Sequence, residues 1–385
     1  MKRPDNRQHN IEVADVIGSC TEEQVSSLGL VPVQAKAYHD ILSCRTSELG
    51  GHLNICNKCG FKQQAYNSCH NRHCPKCQFL KQELWADKIK AKLLPGRYFH
   101  IVFSIPHELN ALVYANQKTC YSILFEAAST ALQNAARNPA FLGAVTGAIA
   151  VLHTWGQTLT FHPHIHMLVP AGGLSEDGTE WIASKKKFFV PARALSSMFR
   201  GIFIRLLEKK ISQGMLKLPQ DFMGVGQLKK LLYQKIWKAY IKNSFRGANG
   251  VLAYLGRYTH RVAISNNRIL NIKEGQVTFR YKNYRNQGRN ELLTLNCIEF
   301  TRRFLMHILP VRFYKIRYYG IMASVNINEL LGQCHAILET DGYLPVYEGV
   351  SVLEIARMLF DTDYARCPAC HEGYLIRVAK EKPPS

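Results

Sequence analysis

The sequence predicts an α+β protein with a small cysteine-rich segment ahead of the main fold, and three observations support this. Six cysteines lie between Cys44 and Cys77, in a segment with little of the periodicity of a helix or a strand. After Pro95-Gly96, runs typical of strands are mixed with longer helical runs. Apolar residues make up 47% of the 385 residues, which is ample for a buried core and suits two or three domains.

The strongly basic composition predicts a polyanionic partner. Lys and Arg number 49 against 28 Asp and Glu, a formal net charge of +21, so nucleic acid is the leading candidate. The first residues lack the apolar core of a signal peptide, and the longest smooth stretch, "FLGAVTGAIAVL", is too short to cross a bilayer. We therefore expect a soluble cytoplasmic protein without a membrane partner, and its twelve cysteines then favour metal over disulfides.

Two close C-x-x-C pairs predict a zinc site in the cysteine-rich segment. Cys56 and Cys59 form one pair and Cys74 and Cys77 the other, and the four thiolates could close around one Zn²⁺. A redox pair is less favoured, because such motifs come singly on a βαβ frame. Surplus donors could serve a second zinc or support the first, and they are Cys69 and His73, with Cys44, His52 and His70. Whether the zinc is structural or contacts DNA stays open.

A third C-x-x-C pair lies near the end of the chain. Cys367 and Cys370, followed by His371, are only half of a tetrahedral site. They could bind zinc with distant partners, but we favour the interpretation that they are two buried thiols.

The elements that follow the module are predicted from periodicity. An amphipathic helix at residues 79–94 precedes a strand at 97–106, a helical region at 108–137 and a strand at 148–161. Residues 198–245 look helical throughout, because Lys alternates with Leu, Ile, Trp and Tyr at helical spacing. A hairpin is expected around Lys273-Glu274-Gly275, then a helix ending before Pro310 and a short helix at 328–338.

The stretch "TFHPHIHMLVP" predicts a metal site on a strand. In an extended strand His164 and His166 face the same side while Ile165 faces the core. Pro163 suits a strand beginning or a sheet edge, and His162 has the same parity as the other two histidines, which makes it a weaker third donor. A lone histidine would favour a hydrogen-bonded core residue. Three within five residues favour a shared cation.

"GVLAYLGRYTHR" places two tyrosines four residues apart. On a helix, Tyr254 and Tyr258 would lie on one face about one turn apart, with Arg257 close by. Alone, such a pair usually indicates packing. Together with the histidine strand, the zinc module and the basic charge, it favours catalysis.

At this point the sequence resembles the two-tyrosine HUH rolling-circle transposases, in particular the insertion sequence ninety-one group. HUH denotes histidine, hydrophobic residue, histidine, which His164-Ile165-His166 matches. The likeness runs over nearly the whole chain and is carried by "CRTSELGGHLNICNKCG", "YNSCHNRHCPKCQ", "HPHIHMLVPAGGL", "YLGRYTHRVAISNNRI" and "RFLMHILPVRFYKIRYYG".

The resemblance implies a fold, a reaction and a set of roles. The fold would be an HUH-type antiparallel sheet with flanking helices, preceded by the zinc module. His164 and His166 would hold Mg²⁺ or Mn²⁺, and Tyr254 or Tyr258 would attack single-stranded DNA at transposon ends and target and become linked to the 5′ end. For the third ligand we expect His162 first, then His153 and His260. Segment 1–95 would be the zinc module, 96–325 the catalytic domain and 326–385 a tail.

Two further functions stay open on the sequence alone. A non-catalytic zinc-containing DNA-binding protein would bind DNA and leave it uncut. A metal-dependent hydrolase of small molecules is less favoured, because it leaves the basic charge unexplained. For DNA contact, besides Arg257, we favour the run "RRFLMHILPVRFYKIRYY" with Arg312, Lys315 and Arg317. In "KKLLYQKIWKAYIK" a solvated amphipathic face is slightly favoured.

Overall fold

The computed structural model describes residues 11–184, 188–246, 263–284 and 286–382. The chain forms two compact units, each assembled from separate stretches. Unit 1 comprises residues 1–87, 260–308 and 345–385, and unit 2 comprises residues 88–259 and 309–344. The predicted tail, 326–385, is thus divided, because its residues up to 344 belong to unit 2 and those from 345 belong to unit 1. The three consecutive segments stay a prediction about the functional division of the chain.

The described residues form both helices and strands. The helices are α1 (Val13–Gly18), α2 (Glu22–Ser27), α3 (Pro32–Leu42), α4 (Gln78–Lys90), α5 (Asn110–Ala115), α6 (Gln117–Arg137), α7 (Ala192–Ser212), α8 (Val225–Gln234), α9 (Cys297–Met306), α10 (Ile327–Ile337) and α11 (Val352–Phe360). The strands are β1 (Gly51–Cys56), β2 (Lys62–Tyr66), β3 (Arg97–Ser104), β4 (Gly147–Trp155), β5 (Phe161–Pro170), β6 (Gly172–Leu174), β7 (Trp181–Ala183), β8 (Lys238–Arg246), β9 (Ile269–Lys273), β10 (Gln276–Asn283), β11 (Arg289–Asn296), β12 (Ile316–Gly320) and β13 (Leu375–Glu381). None of the described helices is both long and apolar enough to cross a membrane.

Unit 2 is built on a five-stranded sheet in the order β12-β4-β5-β3-β8, with every neighbouring pair antiparallel. One face is apolar because alternate residues of each strand point to it, such as Phe103 of β3 and Ile165 of β5. Helices α6 and α7 cover this face with buried side chains such as Leu124 and Phe199. The predicted α+β fold with an antiparallel sheet and flanking helices is confirmed.

The histidine stretch lies in β5, at the centre of this sheet. Ile165, Met167 and Val169 enter the core, so that His164 and His166 belong to the opposite face. Pro163 precedes the residues paired with β3, and the pairing with β4 is irregular there. The strand tolerates a proline at this point because no regular ladder bond is required. The expected strand beginning is confirmed, whereas the strand is internal and not at a sheet edge.

The helical prediction for residues 198–245 is wrong at its end. Helices α7 and α8 account for most of the segment, but β8 begins at Lys238 and pairs with β3. Ala239 is buried while Lys238 and Tyr240 are exposed. This two-residue burial pattern is that of a strand, although the spacing of the lysines also fits a helix. The segment forms a strand because it can pair with the edge of β3.

Unit 1 contains two three-stranded sheets, β13-β1-β2 and β11-β10-β9. The predicted hairpin connects β9 to β10, with Glu274 at φ 51° and Gly275 at φ 71°. Two successive left-handed residues are what a tight hairpin turn needs. Helix α9 packs against α1 and α3, and the Gln34 side chain donates to the Leu305 carbonyl at 2.9 Å.

Candidate metal centre and nucleic-acid interface

Three histidines meet on the face of the unit 2 sheet opposite the helix-covered core. His153 of β4 pairs directly with His164 of β5, and His166 follows two residues later on the same side. One ring nitrogen from each of the three lies within 4.8 Å of the others. Cross-strand neighbours share a face of the sheet, so the antiparallel register brings the three imidazoles together.

The outer ring nitrogens of the two β5 histidines already have hydrogen-bond partners. His164 Nδ1 donates to the carbonyl oxygen of His162 at 2.6 Å, and His166 Nδ1 lies 2.8 Å from Nε2 of His100. A histidine whose Nδ1 carries the hydrogen keeps the lone pair of Nε2 for a metal. Nε2 of His166 is buried. The arrangement therefore fits imidazoles that coordinate through Nε2.

The environment keeps these imidazoles neutral. Burial, reinforced by the neighbouring His162, lowers the pKa of His164 from 6.5 to about 3. Burial and the facing His153, His164 and His100 lower the pKa of His166 well below 6.5. Only the neutral ring can donate a lone pair to a cation, so His164 and His166 are in the form that a metal ion requires at physiological pH.

The structure favours His153 over His162 as the third donor. His162 is exposed, contributes its carbonyl to His164, and stands outside the group of three. Its parity argument fails because the β4–β5 register shifts between His153 and Trp155, next to Pro163. Nothing in the local spacing of β5 points to His153, since only strand pairing brings it near.

The cysteines form two groups, and these separate the two pairs that the sequence suggested could share one Zn²⁺. Cys74 and Cys77 join Cys44 and Cys69, whereas Cys56 and Cys59 join two cysteines of the distant third pair. In the first group the Cys77 sulfur lies 3.5 Å from that of Cys44 and 3.7 Å from that of Cys69. The grouping of both N-terminal pairs around one ion is therefore wrong.

The weaker candidates divide in the same way. Cys69 belongs to the first group, and the facing Cys74 thiol lowers the pKa of Cys69 to about 5, which favours a thiolate ligand. His73 is not a member of that group, and its Nε2 accepts from the Arg72 guanidinium at 3.3 Å. Cys44, only a surplus donor in the sequence, is a full member because the chain after α3 returns to the later cysteines.

The second group corrects the interpretation of the C-terminal pair. Cys367 and Cys370 are not merely buried thiols, because each lies against a cysteine of the β1–β2 hairpin. Backbone donors, first that of Gly373, lower the pKa of Cys370 to about 6. This partnership joins positions more than 300 residues apart, and local spacing carries no signal of it.

Comparison with known proteins matches both the cysteine-rich segment and the histidine stretch to transposase families. Residues 16–105 match the family described as "Transposase zinc-binding domain" and residues 147–329 the family described as "Putative transposase". "Putative transposase y4qJ" of Sinorhizobium fredii is 41% identical over 95% of this chain and 94% of its own length. The chain belongs to the IS91 family of transposases.

A second relative of this transposase is "Transposase for insertion sequence element IS801" from Pseudomonas savastanoi pv. phaseolicola. It is 27% identical over 91% of this chain and 85% of its own length. No solved structure matches the transposase. The family resemblance drawn from the motifs is thus confirmed, and the matched ranges contain the first cysteine group and the histidine cluster.

The predicted nucleophiles of the transposase, Tyr254 and Tyr258, lie outside the described residues, as do Arg257 and His260. In the sequence they follow β8, which ends at Arg246. Strand β8 pairs with β3, and β3 pairs with β5, which carries His164 and His166. The described part of the structure therefore positions the strand that leads towards the tyrosines.

A basic groove of about 440 Å³ runs along β8 of the transposase. Four cationic side chains line it: Arg193, Arg200, Lys235 and Lys238. Tyr240, 61% exposed, lines it as well and lies on the histidine face, since its strand partner Val102 also pairs with His166. Cations beside an exposed aromatic ring suit the phosphates and bases of a single strand.

The remaining basic candidates of the transposase differ in exposure and surroundings. Arg312 is exposed and Lys315 is half-buried. The guanidinium of Arg317 lies 4.3 Å from the ring centroid of Phe125 and 5.3 Å from that of Phe313. Arg317 pairs with Ala150 of β4, a core residue, and so lies on the helix-covered face. Its cation–π packing on the core explains why an arginine stands at this position without a contact to DNA.

Proposed function

We propose that this transposase nicks and joins single-stranded DNA at transposon ends and target through a 5′-phosphotyrosine intermediate, as rolling-circle elements require. His153, His164 and His166 would hold a divalent ion, and Tyr254 or Tyr258 would attack. The observation that carries the proposal is the cluster of three imidazoles, in which burial lowers the pKa of His164 and His166 and hydrogen bonds hold their outer nitrogens.

The donor set fits a divalent transition metal. The three imidazole nitrogens would supply part of the coordination shell, and oxygen atoms could supply the rest. Imidazole suits transition metals better than the hard Mg²⁺, so Mn²⁺ fits these residues better than Mg²⁺. A bound ion would polarise the scissile phosphate.

The chemistry of the tyrosines follows from the phenol group. A phenol ionises near pH 10, so it is a weak nucleophile and needs an electrophilic phosphate. Attack forms a bond from the phenol oxygen to phosphorus and breaks the bond to the 3′ oxygen, which leaves as a hydroxyl. Because the phosphotyrosine conserves the energy of the ester, a free 3′ hydroxyl can reverse the step and join strands. Two tyrosines allow two cut ends to be held.

The groove along β8 would hold the substrate strand. Lys238 and Tyr240 share the histidine face, and Arg193 extends the positive charge towards the start of α7. Single-stranded DNA needs cations for its phosphates and aromatic rings for its bases. The net charge of +21 supports the same partner.

The deciding experiment uses single-stranded oligonucleotides from the ends of the insertion element, labelled at either the 5′ or the 3′ end. With Mn²⁺, the 3′-labelled fragment should migrate with the protein on a denaturing gel, and the 5′-labelled fragment should only shorten. Tyr254→Phe combined with Tyr258→Phe should abolish both products. Tyr284→Phe, a matched loss of an exposed phenol (66% exposed), should leave both unchanged.

Other outcomes would reject the proposal. A covalent adduct that survives in the double tyrosine variant contradicts the assigned nucleophiles. Tight, salt-dependent binding without cleavage at any end sequence would favour the non-catalytic DNA-binding protein.

A further inference from the structure

Four cysteines from opposite ends of the sequence meet in unit 1. Cys56 and Cys59 lie at the turn of the β1–β2 hairpin, and Cys367 and Cys370 precede β13. The sulfur of Cys56 is 3.8 Å from that of Cys370, and the sulfur of Cys59 is 3.7 Å from that of Cys367. Thiolates at about 2.3 Å from a tetrahedral zinc are about 3.8 Å apart, whereas bonded sulfurs are about 2.05 Å apart.

The backbone around both pairs is arranged to support thiolates. The amides of Lys58 and Cys59 donate to the sulfur of Cys56 at 3.4 and 3.5 Å. In the C-terminal pair, the amide of Ala369 donates to Cys367 at 3.4 Å and that of Gly373 to Cys370 at 3.3 Å. Such donors disperse the negative charge of metal-bound sulfur.

The two loops also share a conformation. The residue after each pair has a left-handed backbone, with Gly60 at φ 72° and His371 at φ 58°. Lys58 of one loop forms an ion pair with Glu372 of the other. Two similar loops that face each other are the form in which C-x-x-C pairs close a structural zinc site.

Strand pairing holds the loops together. β1 pairs with β13 from Gly51 opposite Glu381 to Cys56 opposite Leu375. Beyond the strands, the amide of Asn57 donates to the carbonyl of Tyr374 at 3.0 Å. A side chain at Gly373 would bring its Cβ within 2.5 Å of the Cys56 sulfur. The close approach of the two chain segments therefore requires glycine there.

We propose that Cys56, Cys59, Cys367 and Cys370 bind a zinc ion of their own, distinct from any ion at the Cys44 group, and that this zinc fastens β13 to the N-terminal hairpin. The C-terminal pair lies outside both ranges matched by the family comparisons. The zinc is structural, because all four positions are protein ligands and none is left for a substrate. It is independent of DNA cleavage.

The first test is metal analysis of the full-length protein and its variants. Cys367→Ser with Cys370→Ser should lower the zinc content by one ion per chain, and adding Cys74→Ser with Cys77→Ser should remove a second. Cys20→Ser, a half-exposed thiol outside the groups, should retain the full content. An unchanged zinc content in the C-terminal variant, or iron bound by the unaltered protein at this site, overturns the proposal.

The second test does not depend on a variant that folds. Cys59 is exposed and Cys370 half-buried, so as free thiols both would react rapidly with an alkylating agent. In the unaltered protein, peptide mass spectrometry should find both protected until a chelator is added, after which all four react. If Cys59 and Cys370 are alkylated before chelation, the proposal fails. Neither measurement involves DNA. The zinc proposal would therefore stand even if the proposed DNA cleavage were disproved.

Discussion

His100 lies behind one of the three proposed metal ligands and contacts it directly. Its side chain is only 3% exposed, and its Nε2 lies 2.8 Å from Nδ1 of His166. The two ring planes are within 6° of each other and their centroids are 5.1 Å apart, so the rings lie edge to edge with the hydrogen bond nearly in their common plane. This contact fixes the ring orientation of His166, so His100 is a positioning residue.

Replacing His100 should therefore weaken metal binding without removing a ligand. We expect His100→Ala to lower the affinity for Mn²⁺ about 10-fold or more, as removal of the group behind a metal-bound histidine commonly does. Titration calorimetry with Mn²⁺ measures this directly. His107→Ala, which removes an exposed imidazole (83% exposed), should leave the affinity unchanged. Equal affinity in both variants would contradict the role of His100.

The neutral histidine cluster should also make stability depend on pH. The pKa of His164 is lowered by burial from 6.5 to about 3. Between these values the unfolded chain binds a proton that the folded chain does not, so stability present above pH 6.5 is lost as the pH falls towards 3. Urea unfolding of the metal-free protein at pH 7 and pH 5, followed by tryptophan fluorescence, should show this loss. His164→Gln should lose less, and an equal loss would contradict the assignment.

For single residues, the sequence predicts that two side chains meet only when they lie close together in the chain. His164 and His166 follow from the two-residue period of a strand. His153 and His100 reach the cluster through strand pairing. The partnership of Cys59 with Cys367 spans 308 residues, a distance over which no spacing rule operates.

Among the elements, β8 is the edge strand of the sheet and also forms one side of the basic groove. Its residues alternate between buried Ala239 and exposed Lys238 and Tyr240. The amide of Ala239 donates to the Ser196 hydroxyl of α7 at 2.8 Å, so the strand is also tied to the helix beside it. The groove is therefore lined by parts of two elements that are held in place.

A reversal of charge on β8 should weaken binding of single-stranded DNA. Lys238→Glu should lower the affinity and reduce the slope of log K against log salt concentration by about 0.7 for each phosphate that the protein no longer neutralises. Fluorescence anisotropy at several salt concentrations gives both quantities. Lys209→Glu makes the same charge change at an exposed position near the other end of α7, and should have a smaller effect. Identical slopes in the two variants would show that the groove does not bind the DNA strand.

The sequence predicts a helix or strand correctly where the local residue pattern favours the same structure as the pairing in the folded protein. The hairpin at Glu274-Gly275 and the strand of the histidine stretch are confirmed, because turn chemistry and alternation are local. The sequence of β8 predicts a helix because its lysines also fit a helical face, and the unpaired edge of β3 is invisible in the sequence. Tertiary context overrides such propensities.

The whole molecule divides into a cysteine-rich unit and a sheet unit that should respond differently to removal of metal. Both cysteine groups belong to unit 1, whereas the unit 2 core consists of apolar side chains from its sheet and helices. Chelation should therefore strip unit 1 of part of its stability and leave the fold of unit 2 intact.

Hydrogen exchange with and without a chelator tests this prediction. Amides of β1 and β13 should exchange much faster after chelation, because their pairing is anchored by the cysteine groups. Amides of β4 and α6, deep in unit 2, should keep their protection and serve as the internal control. Uniform loss of protection in both units would contradict separate roles for metal and apolar packing.

The pairing of β1 with β13 also has a consequence for synthesis on the ribosome. Chains emerge from their amino end, and domains fold as they are completed. All of unit 2, up to residue 344, emerges before Cys367, Cys370 and β13. The hairpin that is translated early thus waits for its last partners until translation has passed the whole sheet unit, so the unit begun first is the one finished last.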